Sequence, residues 1–292
     1  MTEVKDFNSP IRPTWCSGCG NFGILNGLQR ALAQIDLDPH QVVIYTGIGC
    51  GSKLPDYMKI NGFTSLHGRP IPIAQGGHLA NHALKAIVIA GDGDTYGEGV
   101  GHLIHALRRN MDITIMVQNN RVYGLTKGQY SPTSPQGFTT KTSPGPEGAI
   151  DHPVNPIALA LAAEATFVGR SWSGDLNHLI DMMVRAIQHE GAALLDIFQP
   201  CVTFNSGYSY DYYRDRVYKL EDEEGYDASD CAGAWKKALE TEERIPIGVI
   251  YRGDGLPTYE EQAPALADEP LATRPFRDWS EEDYQELVAE FT

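Results

Sequence analysis

No run of about eighteen apolar residues occurs in this 292-residue chain, so no membrane-spanning helix is expected. The opening segment, MTEVKDFNSPIRPTW, lacks the apolar core of a signal peptide, and the cytoplasm is the expected location. Basic residues are few: 23 Lys and Arg stand against 38 Asp and Glu. With no basic stripe, a nucleic-acid partner is not expected. The shortage is local. Residues 221–292 hold 20 acidic and 6 basic side chains, whereas residues 1–220 hold 18 and 17. The acidic end suits a solvated surface, or a docking face for a subunit or a basic partner. Cysteine is scarce too. Five in so long a chain argue against a secreted disulfide scaffold and for metal binding or redox work. Two nucleotide motifs are missing. No GxGxxG opens a helix after a strand, and GxxxxGK[ST] is absent, so neither a Rossmann site nor a P-loop is expected.

What is there is an ordinary globular composition, 42% apolar and 21% charged. Helical spacing marks residues 20–35, 96–110, 155–165 and 176–189, with a loop entering a helix over 73–85. Short apolar runs mark strands at 42–47, 86–90, 113–117 and 193–199. Strands of about five residues between longer helices predict an α/β fold, an open and mostly parallel sheet with helices on both faces. Residues 127–153 are rich in Gly, Pro, Ser and Thr and too long for a plain connection. After residue 207 the alternation fades. The expected organisation is therefore a domain over 1–207 and an acidic C-terminal extension over 208–292, packed on the core or on a partner. A short amphipathic helix over 280–291 is expected to end it.

Gly91-Asp92-Gly93-Asp94 follows the strand AIVIA, and Asn119-Asn120 follows ITIMV. Ligands of an open parallel sheet gather at the carboxyl ends of its strands. A carboxylate, an amide and a backbone carbonyl there form the protein half of an Mg²⁺ shell that bridges to a diphosphate. The glycines allow close approach of the backbone. Either motif alone is also a good turn; the two together, each at a strand end, point to a metal–diphosphate site. Gly76 and Gly77 are candidates for presenting N–H groups to the diphosphate at a helix start.

Cys16 and Cys19 form a CxxC before the first helix, while Cys50 and Cys201 each follow a strand. Four thiolates suit zinc or an iron–sulfur cluster, and CxxC by itself also suits a redox disulfide. Cys231 matches no motif.

Taken in order, WCSGCG, GIGC, GDGD, NNRVYG and QPC resemble the β subunits of 2-oxoacid:ferredoxin oxidoreductases over residues 10–205. The resemblance implies the thiamine-diphosphate-binding fold. It implies that Cys16, Cys19, Cys50 and Cys201 ligate one [4Fe–4S] cluster, and that Asp92, Asn120 and the Val122 carbonyl hold Mg²⁺. Gly91, Gly93, Asp94, Tyr123, Gly124 and Leu125 would complete the cofactor loop with Gly76. His67 and Arg69, in LHGR, would face the cofactor and substrate. Lys53 and Lys127 would serve a substrate carboxylate or coenzyme A. The segments LHGRPIP and NNRVYGLTKGQYSPTS look most like members acting on 2-oxoglutarate, with pyruvate or broad specificity next. The family's thiamine-activating glutamate is in no motif here, so an α subunit is an expected partner, as αβ or (αβ)2. No CxxCxxC run supplies a second cluster, so ferredoxin is the expected electron acceptor. A non-redox thiamine decarboxylase would leave the thiols unexplained, and a thiamine-free metal module would leave Asp92 and Asn120 idle.

Overall fold

Three runs of apolar residues, flanked by turns, fill the middle of one eight-stranded sheet. The computed structural model describes residues 1–266, 269–275 and 280–291. In chain order the strands are β1 (Val42–Thr46), β2 (Asn61–Thr64), β3 (Lys85–Gly91), β4 (Ile113–Asn119), β5 (Phe167–Trp172), β6 (Ala193–Phe198), β7 (Val217–Lys219) and β8 (Ile245–Arg252). Their order across the sheet is β2-β1-β3-β4-β6-β5-β8-β7. All neighbours pair in parallel except β5 with β8. Every residue of β4 and β6 is buried, as expected for strands covered on both faces.

The helices are α1 (Asn21–Gln34), α2 (Pro70–Ala80), α3 (Val100–Arg108), α4 (Pro156–Ala162), α5 (Leu176–Ile187), α6 (Tyr210–Arg214), α7 (Cys231–Ala238), α8 (Tyr259–Gln262) and α9 (Glu281–Ala289). One apolar core lies beneath α1 and α5, another beneath α2, α3, α4 and α7, and a smaller third joins Trp172, Phe198, Tyr213, Ile245 and Ile247. Gly27 lets α1 approach α5, since a Cβ there would stand 3.3 Å from Leu179 Cδ2. Local chemistry sets the helix starts. Asp175 and Asn155 cap α5 and α4 by accepting from His178 N and Ala158 N, and Pro156 opens α4. None of the described helices is long and apolar enough to cross a membrane.

The expected doubly covered parallel sheet is the observed one. Four strands escape the sequence reading. β2 (NGFT) is a fully exposed edge strand. β5 carries Gly169 and the charged Arg170. β7 has three residues, and β8 contains Pro246 and Gly248, residues that weaken a strand reading. Through β7 and β8 the region after residue 207 joins the same sheet as the rest. The terminal helix is capped by Ser280 in a capping box with Asp283.

Candidate active site

β1, β3, β4 and β6 are successive neighbours and all parallel, so their carboxyl ends lie along one edge. Cys50 follows β1, Asp92 follows β3, Asn120 follows β4 and Cys201 follows β6. Topology alone therefore gathers residues that lie up to 151 positions apart in the chain.

A pocket at this edge is lined by His67, the run Gly91 to Asp94, Asn120, Val122 to Thr126, and Ile48 to Gly51 with Cys50. Asp92 is 2% exposed, and its Oδ2 accepts from the hydroxyls of Ser131 (2.5 Å) and Thr133 (2.6 Å). Burial pushes its carboxyl up to about 6, with those two hydroxyls pulling the other way. Asn120 accepts from Val122 N–H (3.0 Å) and donates to Gln199 Oε1 (2.9 Å). Between them Arg121 takes a left-handed conformation, φ 57°, which turns the chain back on itself. Gly93 has to be glycine, because a Cβ would strike the Tyr123 ring.

Asp94, 1% exposed, accepts from His67 Nδ1 (2.6 Å) and Gly68 N–H (2.5 Å), so it fixes the imidazole at the pocket wall. Tyr123 packs edge-on against His67, and its hydroxyl donates to Glu98. The Gln118 amide also reaches the pocket and has no hydrogen-bond partner among the described residues.

The thiols meet beside this pocket. Cys19 N–H donates to Cys16 O (3.0 Å), and Gly20 N–H donates to Pro200 O (3.2 Å), which closes the CxxC turn on the segment of Cys201. A Cβ at Gly20 would stand 2.9 Å from Gln199 Cγ, so the close approach needs glycine. Gln199 Nε2 donates to Cys19 Sγ (3.3 Å) while its Oε1 holds Asn120, which makes it a tie between the thiols and the Asn120 turn. A Cβ at Gly124 would lie 3.7 Å from Cys50 Sγ and 3.9 Å from Cys201 Sγ. Burial, then the neighbouring thiols, pushes Cys19 up to about 11, and Cys50 is raised for the same reasons despite Lys53 beside it. Among the described residues no three of these sulfurs lie mutually within 4.8 Å. One tetrahedral zinc ion would hold them about 3.8 Å apart. Cys231 begins α7, exposed.

Not every expected residue reaches the pocket. Arg69 is exposed, with Nη1 3.4 Å from His102 Nε2. Lys127 is exposed on the loop that follows Thr126, and Lys53 is half-buried beside Cys50; neither lines the pocket. Gly76 and Gly77 are a correction. Pro70 starts α2 six residues earlier, so both lie inside the helix rather than at its start. Gly76 is exposed, and Gly77 exists because a Cβ would strike the Tyr45 hydroxyl. Sequence reasoning in turn missed Ser131, Thr133, Gln118, Gln199 and Glu98. Only the hydroxyl-rich SPTS within the long loop and the QPC segment carried a signal for any of them.

A sheet whose strand ends present GDGD and NN, with no dinucleotide motif, defines a thiamine-diphosphate-binding domain. Residues 40–197 match the family described as "Thiamine pyrophosphate enzyme, C-terminal TPP binding domain", and residues 201–268 match the family of C-terminal regions of the pyruvate ferredoxin oxidoreductase β chain. The β subunit of 2-oxoacid:ferredoxin oxidoreductase 1 from Aeropyrum pernix is 44% identical over 98% of this chain and 92% of its own. The 2-oxoglutarate oxidoreductase subunit KorB of Mycobacterium tuberculosis is 50% identical over 72% of this chain and 56% of its own. A solved structure of 2-oxoglutarate:ferredoxin oxidoreductase from Magnetococcus marinus, with 2-oxoglutarate, coenzyme A and succinyl-CoA bound, superposes with a TM-score of 0.89 at 35% identity, covering 100% of this chain and 96% of that one. The chain belongs to the family of 2-oxoacid:ferredoxin oxidoreductase β subunits.

Proposed function

We propose that the chain works with an α subunit, as αβ or (αβ)2, in the reversible, coenzyme A-dependent oxidative decarboxylation of 2-oxoglutarate to succinyl-CoA and CO2. Electrons leave through one [4Fe–4S] cluster to ferredoxin. The observation that carries this reading is the shared strand edge: Asp92 and Asn120 line the same pocket as Cys50, and Gly124 lies against both Cys50 and Cys201. The KorB name of the M. tuberculosis relative and the 2-oxoglutarate in the M. marinus structure support the substrate.

Thiamine diphosphate, when bound, supplies an ylid carbon that adds to the 2-oxo carbon and takes up the electrons released with CO2. Asp92, Asn120 and the Val122 carbonyl are suited to Mg²⁺: a buried carboxylate, an amide and a carbonyl at one turn. Cys16, Cys19, Cys50 and Cys201 would ligate the cluster, with Cys50 and Cys201 both close to Gly124. His67, fixed by Asp94, lines the pocket with its other nitrogen 3.8 Å from Glu98 Oε2. Among the described residues the pocket lining has no lysine or arginine, yet a buried carboxylate left unpaired is costly. Lys53 and Lys127 stand at its margin, and the α subunit would supply the rest. Residues 1–207 would hold both cofactors, and the acidic region 208–292 would face a partner. A cytoplasmic location goes with the same reading.

The test is kcat/KM of the purified complex for 2-oxoglutarate and for pyruvate with ferredoxin. A preference for 2-oxoglutarate of at least about tenfold is expected, the scale of one charge-assisted contact. A preference for pyruvate overturns the substrate and leaves the family untouched.

A further inference from the structure

Asn119 and Arg121 flank Asn120 in the chain, and both face away from the thiamine pocket into a second cavity of about 530 Å³. Its walls come from the ends of β4, β5 and β6, the long loop, and the region after residue 207. Three arginines line it: Arg121, Arg170 and Arg216.

Arg170 lies on β5, 2% exposed, in register with Asp196 on β6. Its Nε is 3.8 Å from Asp196 Oδ2, beyond hydrogen-bond range. Asp196 is already occupied, accepting from Tyr96 Oη (2.9 Å) and Asn119 Nδ2 (3.1 Å). Among the described residues Arg170 Nε and Nη1 and Arg121 Nε have no hydrogen-bond partner. Aromatic faces hold all three cations in place. Arg121 sits 4.3 Å from the Tyr208 ring centroid, Arg170 5.3 Å from Phe198 and Arg216 4.2 Å from Tyr212. Stacking orients a guanidinium and leaves N–H groups open, although Arg216 Nη1 also donates to Tyr212 O (3.2 Å). Three guanidinium groups thus face one buried carboxylate, and the other acids in the lining, Glu242 and Glu243, are at the rim. Buried charge left in excess, with donors unmade, is costly unless a counter-ion fills the space.

We propose that this cavity binds a small organic anion bearing carboxylate or phosphate groups, at a site distinct from the thiamine pocket. The guanidinium fork fits either group. The volume falls in the range of small-molecule sites, about 300–1,000 Å³, and far exceeds that of a single ion or water, about 30 Å³. The aromatic rings give the carbon skeleton of such a ligand an apolar wall. This site needs no assumption about which 2-oxoacid the enzyme uses.

The experiment is calorimetric titration of the αβ complex, preloaded with thiamine diphosphate and Mg²⁺, with malate and separately with glycerol 3-phosphate. One site per β chain is expected for at least one of the two. Malate alone identifies a carboxylate ligand, glycerol 3-phosphate alone a phosphate ligand. Arg216→Gln, at a half-buried position, should weaken that binding at least about tenfold and leave thiamine diphosphate content unchanged, since it removes one charge-assisted contact. Arg170→Met should abolish it. If Arg170→Met fails to fold, the double variant Glu242→Gln, Glu243→Gln serves in its place and should tighten binding several-fold by removing repulsion at the rim. Absence of binding by the unmodified complex overturns the proposal. So does equal affinity in the unmodified complex and Arg216→Gln.

Discussion

The two ends of the sheet are built from similar polar residues and use them in opposite ways. At the amino end most of the groups pair with each other, although His78 Nδ1 and Glu260 Oε2 have no hydrogen-bond partner among the described residues. Lys85 Nζ pairs with Asp112 Oδ1 at 3.1 Å, and His78 Nε2 meets Glu260 Oε1 at 2.9 Å. The Asn110 amide accepts from Ala192 N–H (2.9 Å) and Thr166 Oγ1 (2.7 Å) and donates to Leu256 O (3.0 Å). These bonds clamp the starts of β4, β5 and β6 to the segment around residues 256–260. At the carboxyl end the Gln118 amide, Asp94 Oδ2 and two nitrogens of Arg170 are buried without a hydrogen-bond partner among the described residues. Buried polar groups are normally satisfied, and at this end the open ones line cavities, where a ligand can complete them. One end holds the sheet together, and the other holds what the sheet is for.

The sharpest way to break that contrast is Asp92→Ala. It should abolish thiamine diphosphate binding, read by calorimetry on the complex, while the Tm of the cofactor-free chain moves by no more than about 3 °C, the scale of 1 kcal/mol in a chain of this size. A variant that binds thiamine diphosphate normally removes Asp92 from the metal site. Next comes the thiol corner. Cys201→Ser should lose the iron–sulfur chromophore and its iron and sulfide, whereas Cys231→Ser, exposed at the start of α7, should keep both. The reverse result would move the fourth ligand.

The smallest effect belongs to the amino end. His189 is buried against Thr166, its Nε2 2.8 Å from Oγ1, and burial lowers it to about 4. Unfolded it titrates near 6.5, so the folded form binds fewer protons between those values. The stability that comes with neutral His189 is complete above about pH 6.5 and is lost as pH falls toward 4, up to about 3 kcal/mol. Urea denaturation of the unmodified chain and His189→Asn at pH 7 and pH 4.5 measures it. The variant should show the flatter dependence, with thiamine diphosphate affinity at pH 7 unchanged. A parallel pH dependence in the two proteins would show that His189 does not titrate in this way.

Much of this was legible in the sequence because it is written locally. β3, β4 and β6 are unbroken apolar runs, and GDGD, NN and the cysteines sit directly at element ends. The strands that were missed depend on distant partners. β5 carries a buried Arg170 in register with Asp196 on β6, a neighbour invisible along the chain, and β8 accepts Pro246 where it pairs in parallel with the short β7. Gly76 and Gly77 mislead for a related reason. A glycine pair reads as a phosphate loop, yet Gly77 is required by the Tyr45 hydroxyl across the helix–sheet contact, a demand invisible along the chain. Ser131 and Thr133 reach Asp92 from about 40 residues away, and the hydroxyl-rich SPTS that holds them does not say which carboxylate they meet.

The thiol corner also has a history built into it. Its first two sulfurs are made at residues 16 and 19, and its last at residue 201, just past the final central strand. A nascent chain that has emerged only as far as β4 already owns GDGD and NN. It still lacks Cys201, the Gln199 that holds both Asn120 and Cys19, and the strand on which they depend. Because metal sites seldom exist before the fold that shapes them, insertion of the proposed cluster would have to wait until about two-thirds of the polypeptide has been synthesised.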